Sequence, residues 1–410
     1  MINVLCHARL DTIERSAGTL LIGGLPVPRL IETAGRTPCY VYDRGAIDAR
    51  VRALRAALPG AIKLHYAIKA NPMPALVTHM CHLVDGFDVA SQGEMRVALN
   101  AGMPSGTVSF AGPAKSEDEL RAAVAAGVCV IIESETEIAR LARHAHALGI
   151  TPRTALRVNP EFQLKGAGMK MGGGPSPFGI DATRIPAALS LLGEFGLGCN
   201  GLHIYCGSQN LKAEAIIEAN RLSVALALQI ARDSATHFEF INIGGGFGIP
   251  YFPGELPLDL SAVGNALGHL LQSHEAALKG TAVVVELGRY LVGEAGYYVT
   301  RVVDIKRSRD QLFILVDGGL HHHLANSGNF GQVLRKNYPV VIGNKLDHQP
   351  CDVATIVGPL CTPLDILADK LAVPSLEIGD PVVVLQSGAY GYTASPILFL
   401  GHSPPLELLI

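Results

Sequence analysis

Short apolar runs alternate with amphipathic stretches through the middle of the chain. The runs at 63–67, 85–89, 108–111, 129–132, 155–158, 201–205, 238–243 and 283–286 read as strands. Between most of them, for instance at 117–126, 135–148, 185–192 and 213–232, apolar residues recur at spacings of three and four, the signature of a helix burying one face. A further helix, 46–57, precedes the first strand. Eight strand–helix units in succession predict parallel pairing and closure as a (β/α)8 barrel, with an open doubly wound sheet as the rival. After about Tyr290 the texture changes to strands at 297–305, 311–317, 339–341, 353–357 and 381–386, separated by Gly, Pro and Asp turns, with one short helical stretch near 364–370. The segments 20–30 and 38–43 are strand-like too. The fold class expected is therefore α/β, a TIM-like barrel over 44–290 with a β-domain over 291–410 that the N-terminal segment 1–43 completes.

Composition narrows the function. The 410 residues are 49% hydrophobic and 17% charged, with a net charge of −3 and no basic run, which argues against a nucleic-acid partner. The longest apolar runs, 283–285 and 382–385, are too short to cross a bilayer, and Arg9, Asp11, Glu14 and Arg15 stand where a signal peptide needs an apolar core. Eight scattered cysteines without a CxxC pair fit reduced thiols in a cytoplasmic protein rather than disulfides or zinc. Three consecutive histidines, His321–His323, invite a metal, but neighbours on a strand end point in opposite directions and chelate poorly, so no metal is expected.

In an eight-stranded barrel the reactive groups gather just past the C-terminal strand ends. Those positions hold Lys69 after strand one, Asp88 at strand two, Arg157 at strand five, and His203, Tyr205 and Ser208 at strand six. Gly244, Gly245, Gly246 and Gly248 follow strand seven; Glu286, Gly288 and Arg289 follow strand eight. Consecutive glycine amides form either a tight turn or a phosphate-binding concavity, and Arg289 nearby favours phosphate. A lysine on the same rim is either a solvated side chain or the amine that holds pyridoxal 5'-phosphate (PLP) as a Schiff base. Glu286 either pairs with Arg289 alone or meets the pyridine nitrogen and keeps it protonated, so that the ring accepts electrons as CO2 leaves.

The segments YAIKAN, FDVASQGE, GLHIYCGSQ, INIGGGFGIPY, ELGRY, VGPLC and SGAYGY resemble, in combination and over nearly the whole chain, the fold-type III PLP decarboxylases that act on diaminopimelate, ornithine and arginine. The resemblance implies a Greek-key-like β-domain, an amino-acid decarboxylase activity and a homodimer with shared active sites. It also implies Lys69 as the cofactor-holding amine, Glu286 at the pyridine nitrogen, and Ser208, Gly246, Gly288, Arg289 and Tyr390 at the phosphate. Cys361, from a second subunit, would reprotonate the substrate carbanion, with Thr362 and Asp365 at the substrate. The departures concern substrate: Tyr205 stands for a histidine, Pro177 for a lysine, and Thr362-Pro363-Leu364-Asp365 for the Glu-Ser-Gly-Asp of diaminopimelate enzymes. The tail GAYGYTASPILFLGHSPP is most similar to a subgroup associated with exosortase and exopolysaccharide systems. These departures put free diaminopimelate in question and leave room for a carrier-attached amino acid. An alanine-racemase-like enzyme, which resembles a pattern with arginine where Glu286 stands, and a non-catalytic PLP-binding homologue are the alternatives.

Overall fold

The computed structural model describes residues 7, 10, 12–163, 169–170, 172–328 and 336–410. The chain forms two compact units, one of Arg50–Ile249 and Pro257–Leu291, the other of Met1–Ala49, Pro250–Leu256 and Val292–Ile410.

The first unit is a closed parallel barrel. Its strands are β1 (Lys63–Ala67), β2 (Gly86–Val89), β3 (Val108–Phe110), β4 (Cys129–Ile132), β5 (Thr154–Asn159), β6 (Gly201–Ile204), β7 (Phe240–Gly245) and β8 (Ala282–Leu287). Each pairs in parallel with the next, and β8 returns to β1 with Glu286 opposite His65. Helix boundaries follow local chemistry. Glu117–Ala126 starts at a reciprocal capping box between Ser116 and Glu119 and stops at Gly127 in the left-handed conformation. Glu135–Leu148 likewise starts at Ser134 and stops at Gly149.

The second unit centres on the 13-residue strand Gly296–Ser308, which pairs antiparallel with Cys39–Tyr42, Pro381–Val384 and Gln311–Val316. Cys39–Tyr42 also pairs in parallel with Leu406–Leu409, so both chain ends enter one sheet, as expected. Three local expectations need correction. The 20–30 segment supplies only the short strands Thr19–Ile22 and Leu25–Pro26 before turning into the helix Val27–Ala34. In that helix Val27, Leu30 and Ile31 fall on one face and join Val41, Val299 and Val383 in the core. The stretch near 364–370 is not helical: Ile366–Val373 is a strand against Asp352–Val357, and Lys370 holds a left-handed φ of 50° that no α-helix accepts. Sheet pairing overrides the helix propensity of Leu, Ala and Lys there. The strand Leu406–Leu409 had not been anticipated at all.

His321–His323 lie in a buried turn rather than on a strand end. His322 Nε2 stands 3.1 Å from the Ser403 carbonyl and can only donate to it; with burial keeping the ring neutral, Nδ1, 3.1 Å from the Tyr298 hydroxyl, accepts. His323 Nδ1 accepts from the Asn326 amide while Nε2 meets Ser387 Oγ at 2.9 Å. The amide donated to Nδ1 fixes the His323 ring as neutral. Burial pushes His321 down to about 4 and His322 and His323 down to about 3. Among the described residues no cluster of His, Cys, Asp or Glu is arranged to hold a metal. The unfolded chain, with ordinary imidazoles, binds these protons first as pH falls. The stability they contribute is whole above pH ~6.5 and declines as pH drops toward 4 and then 3. Thermal unfolding followed from pH 8 to 4 should show a flat midpoint to about pH 6.5 and a steady fall below it; a midpoint constant down to pH 4.5 contradicts this.

Candidate active site

β1, with Tyr66 and Ala67 buried at its end, leads the chain into a short turn, Ile68–Ala70, carrying Lys69. The Lys69 ammonium lies 3.8 Å from Glu286 Oε1 and 5.5 Å from the centre of the Tyr205 ring. The two groups expected to grip one cofactor thus meet at one end of the barrel. Glu286 is 5% exposed, yet its carboxyl is held low. Burial alone would raise it, and the His203 hydrogen bond together with the charges of Lys69, His203 and Arg157 outweigh that. Its Oε2 is 3.0 Å from His203 Nε2 and accepts from Asn242 Nδ2 at 3.3 Å. His203 and Tyr205 stack with ring centres 6.4 Å apart and planes 11° off parallel.

Arg157 is fixed from the other side. It pairs with Glu133 at 2.9 Å and lies 5.0 Å from the Phe178 ring. Glu133 also accepts from the Gly112 amide at 2.6 Å and the Gly179 amide at 3.2 Å. Behind it, buried Lys115 donates to Glu137 at 2.7 Å, Ile131 O at 2.7 Å and Gly112 O at 2.9 Å. This relay ties the ends of β3, β4 and β5 together. Lys115→Ala would leave Glu137, whose carboxyl burial already pushes up, without its counter-charge. The expected cost is about 3–5 kcal/mol of stability, read by denaturant unfolding, and a loss under 1 kcal/mol overturns it.

The end of β7 and the residues just after it are shaped as a cradle. Gly244 and Gly246 hold φ of 69° and 73°. A Cβ on Gly244 would stand 2.8 Å from the Tyr205 ring, and one on Gly245 2.5 Å from Leu287 Cδ2 and against the Glu286 carbonyl. Ser208 follows β6 on the short strand Gly207–Ser208, and Gly288 and half-buried Arg289 follow β8. Asp88, expected at the cofactor, is held by the Ser109 hydroxyl and stands 3.2 Å from His65 Nδ1, facing a cavity at the N-terminal end of the barrel.

The remaining expected residues, Cys361, Thr362, Asp365 and Tyr390, belong to the second unit. Cys361 is exposed. Asp365 is a correction. It was expected at the substrate, but it is 2% exposed and its carboxylate accepts the amides of Leu320 at 2.6 Å and Leu360 at 2.9 Å, packed where Gly319 and Gly358 lack side chains. It clamps the backbone of that loop. Sequence reasoning missed Asn242 and Glu133; the first lies on β7 two residues before the glycine run, and the second just past β4.

The donor set fits PLP. A cationic amine, an anionic carboxylate and a glycine-walled anion cradle share one barrel end, and His203 Nδ1 is buried there without a hydrogen-bond partner. Comparison with known proteins agrees. The family model for the pyridoxal-dependent decarboxylase, pyridoxal binding domain, matches residues 44–293. An L-glutamyl-[BtrI acyl-carrier protein] decarboxylase of Niallia circulans is 38% identical over 379 residues, 91% of this chain and 88% of that one. A diaminopimelate decarboxylase of Aquifex aeolicus is 32% identical, covering 93% and 89%. The crystal structure of Helicobacter pylori diaminopimelate decarboxylase complexed with L-lysine superposes with a TM-score of 0.82 at 26% identity, over 93% of this chain and 94% of that one. With fold, donor set and similarity pointing one way, this chain belongs to the PLP-dependent decarboxylases of fold-type III.

Proposed function

We propose that the protein decarboxylates an α-amino acid whose distal end is carrier-attached or otherwise lacks a free zwitterion. PLP supplies an electron-accepting ring for the charge left when CO2 departs. The chain's residues do the rest. Lys69 would provide the amine that anchors the cofactor, which the substrate's own amine would displace. Glu286, kept ionised by His203, Asn242 and Lys69, holds a proton on the ring nitrogen. Gly245, Gly246, Ser208, Gly288, Arg289 and Tyr390 hold the phosphate, and Arg157 and Tyr205 shape the pocket. Cys361, on an exposed loop, delivers the proton that replaces CO2, from the second subunit of a homodimer. The scattered thiols support a cytoplasmic setting.

The observation that carries the substrate reading is the 360–365 loop. Asp365 is its one acidic side chain, and backbone amides already occupy that carboxylate; Thr362, Pro363 and the 58%-exposed Leu364 offer no charge to pair with a distal ammonium. Burying such a charge unpaired is costly. The 38%-identical relative, an L-glutamyl-[BtrI acyl-carrier protein] decarboxylase, supports the same reading. Release of CO2 from a glutamyl-loaded acyl carrier protein, free glutamate, diaminopimelate, lysine, ornithine and arginine tests it. The carrier-attached substrate is expected to exceed free diaminopimelate in kcat/KM by about 100-fold or more. Preference for free diaminopimelate overturns the reading.

A further inference from the structure

A cavity of about 290 Å3 opens at the N-terminal end of the barrel, lined by His65, Asp88, Ser109 and Asn242 among others. His65 lies on β1 directly between Gly86 of β2 and Glu286 of β8 in register. Room for its ring depends on Gly86, where a Cβ would stand 2.5 Å from His65 Nε2. The ring is 15% exposed, and its Nδ1 lies 3.2 Å from Asp88 Oδ2, while Ser109 donates to the other Asp88 oxygen. Burial opposes a charge on this imidazole, but Asp88 beside it, then Glu286 and Asp85, raise its proton affinity above the ordinary histidine value.

The other charged groups around the cavity are occupied elsewhere. Lys63, on the same strand, pairs with Asp85 at 3.8 Å, and Arg153 pairs with Glu239 at 3.0 Å; Cys129 is the remaining titratable group on the wall. Lys69, the cation next to Glu286, gives up its ammonium role once its amine is committed to the cofactor. We propose that His65 is a positioning residue: a buried imidazolium, paired with Asp88, whose charge acts through Glu286 to keep the proton on the cofactor's ring nitrogen. The inference rests on the reading that Glu286 meets that nitrogen, and it is independent of which amino acid is the substrate.

The test uses the PLP-loaded protein and its His65→Gln and His65→Phe variants. The first readout is the pH at which the visible absorption band of the bound cofactor titrates, which needs no substrate. Without the cation, Glu286 becomes more basic and draws the proton from the ring nitrogen to itself, while the uncompensated charge of Asp88 should raise the midpoint of the band by about one pH unit, equivalent to tenfold in proton affinity. Turnover should fall about tenfold with KM within about twofold, and the effect should shrink when Glu286→Gln is already present, because both act through one group. A midpoint and kcat unchanged in a folded, cofactor-replete variant overturn the proposal. Wild-type protein without a visible band would sink the cofactor reading instead, which separates the two failures. Should neither variant fold, the wild-type ring can be titrated by NMR with labelled histidine, assigned through Ser109→Ala. A His65 pKa above ~6.5 supports the proposal and one below it overturns it.

Discussion

Lys69→Ala should leave a folded protein that has lost its visible absorption band and whose CO2 release falls by on the order of 10^3 or more. The size follows from what the amine does. In the proposed function it is the covalent anchor, and no other lysine among the described residues is placed against Glu286. Folding should survive, because the Lys69 side chain is 43% exposed, so its removal opens no large cavity. Absorption spectroscopy and a coupled CO2 assay read both parts. A variant that keeps its colour, or that retains more than a tenth of wild-type turnover, contradicts the role given to this residue.

Glu286→Gln should be nearly as damaging by a different route. The amide keeps the shape and can still meet His203 and Asn242, but it cannot hold a proton on a neighbouring ring nitrogen by charge. Turnover is expected to fall by roughly 10^2–10^3, the usual effect of deleting one preorganised electrostatic partner, while cofactor content stays close to wild type. The contrast between the variants is diagnostic. Lys69→Ala removes the bound chromophore, whereas Glu286→Gln retains it and loses the chemistry. If Glu286→Gln turns over within fivefold of wild type, the carboxylate is not the electronic partner of the ring.

Much of the barrel was legible because its boundaries are written in local chemistry. The helices Glu117–Ala126 and Glu135–Leu148 match at both ends, since a serine cap and a left-handed glycine bracket each one. The strands Lys63–Ala67 and Cys129–Ile132 match as well. The expectation failed where tertiary pairing decides: Ile366–Val373 is drawn into a sheet by Asp352–Val357, and the strand Leu406–Leu409 exists only because a distant partner is available. The site shows the same division. Lys69 and Glu286 could be placed on one rim from strand order alone. The relay through Lys115, Glu137 and Glu133, and the pairing of His65 with Asp88, link side chains on different strands. A lone polar residue in an apolar run reads as an exception until its cross-strand partner is known. Asp365 misled for the opposite reason: its sequence neighbourhood resembles a binding loop, but its carboxylate is already occupied by the backbone.

The strand Cys39–Tyr42 is flanked by Gly296–Ser308 and by Leu406–Leu409, and Tyr42 bonds Glu407 across 365 positions of chain. During synthesis this early segment leaves the ribosome long before either neighbour exists, whereas β1 to β8 emerge in order, each next to the strand it pairs with. The nascent chain therefore carries an unpartnered apolar strand throughout translation of the barrel, which makes residues 39–42 the natural place for a chaperone to hold it.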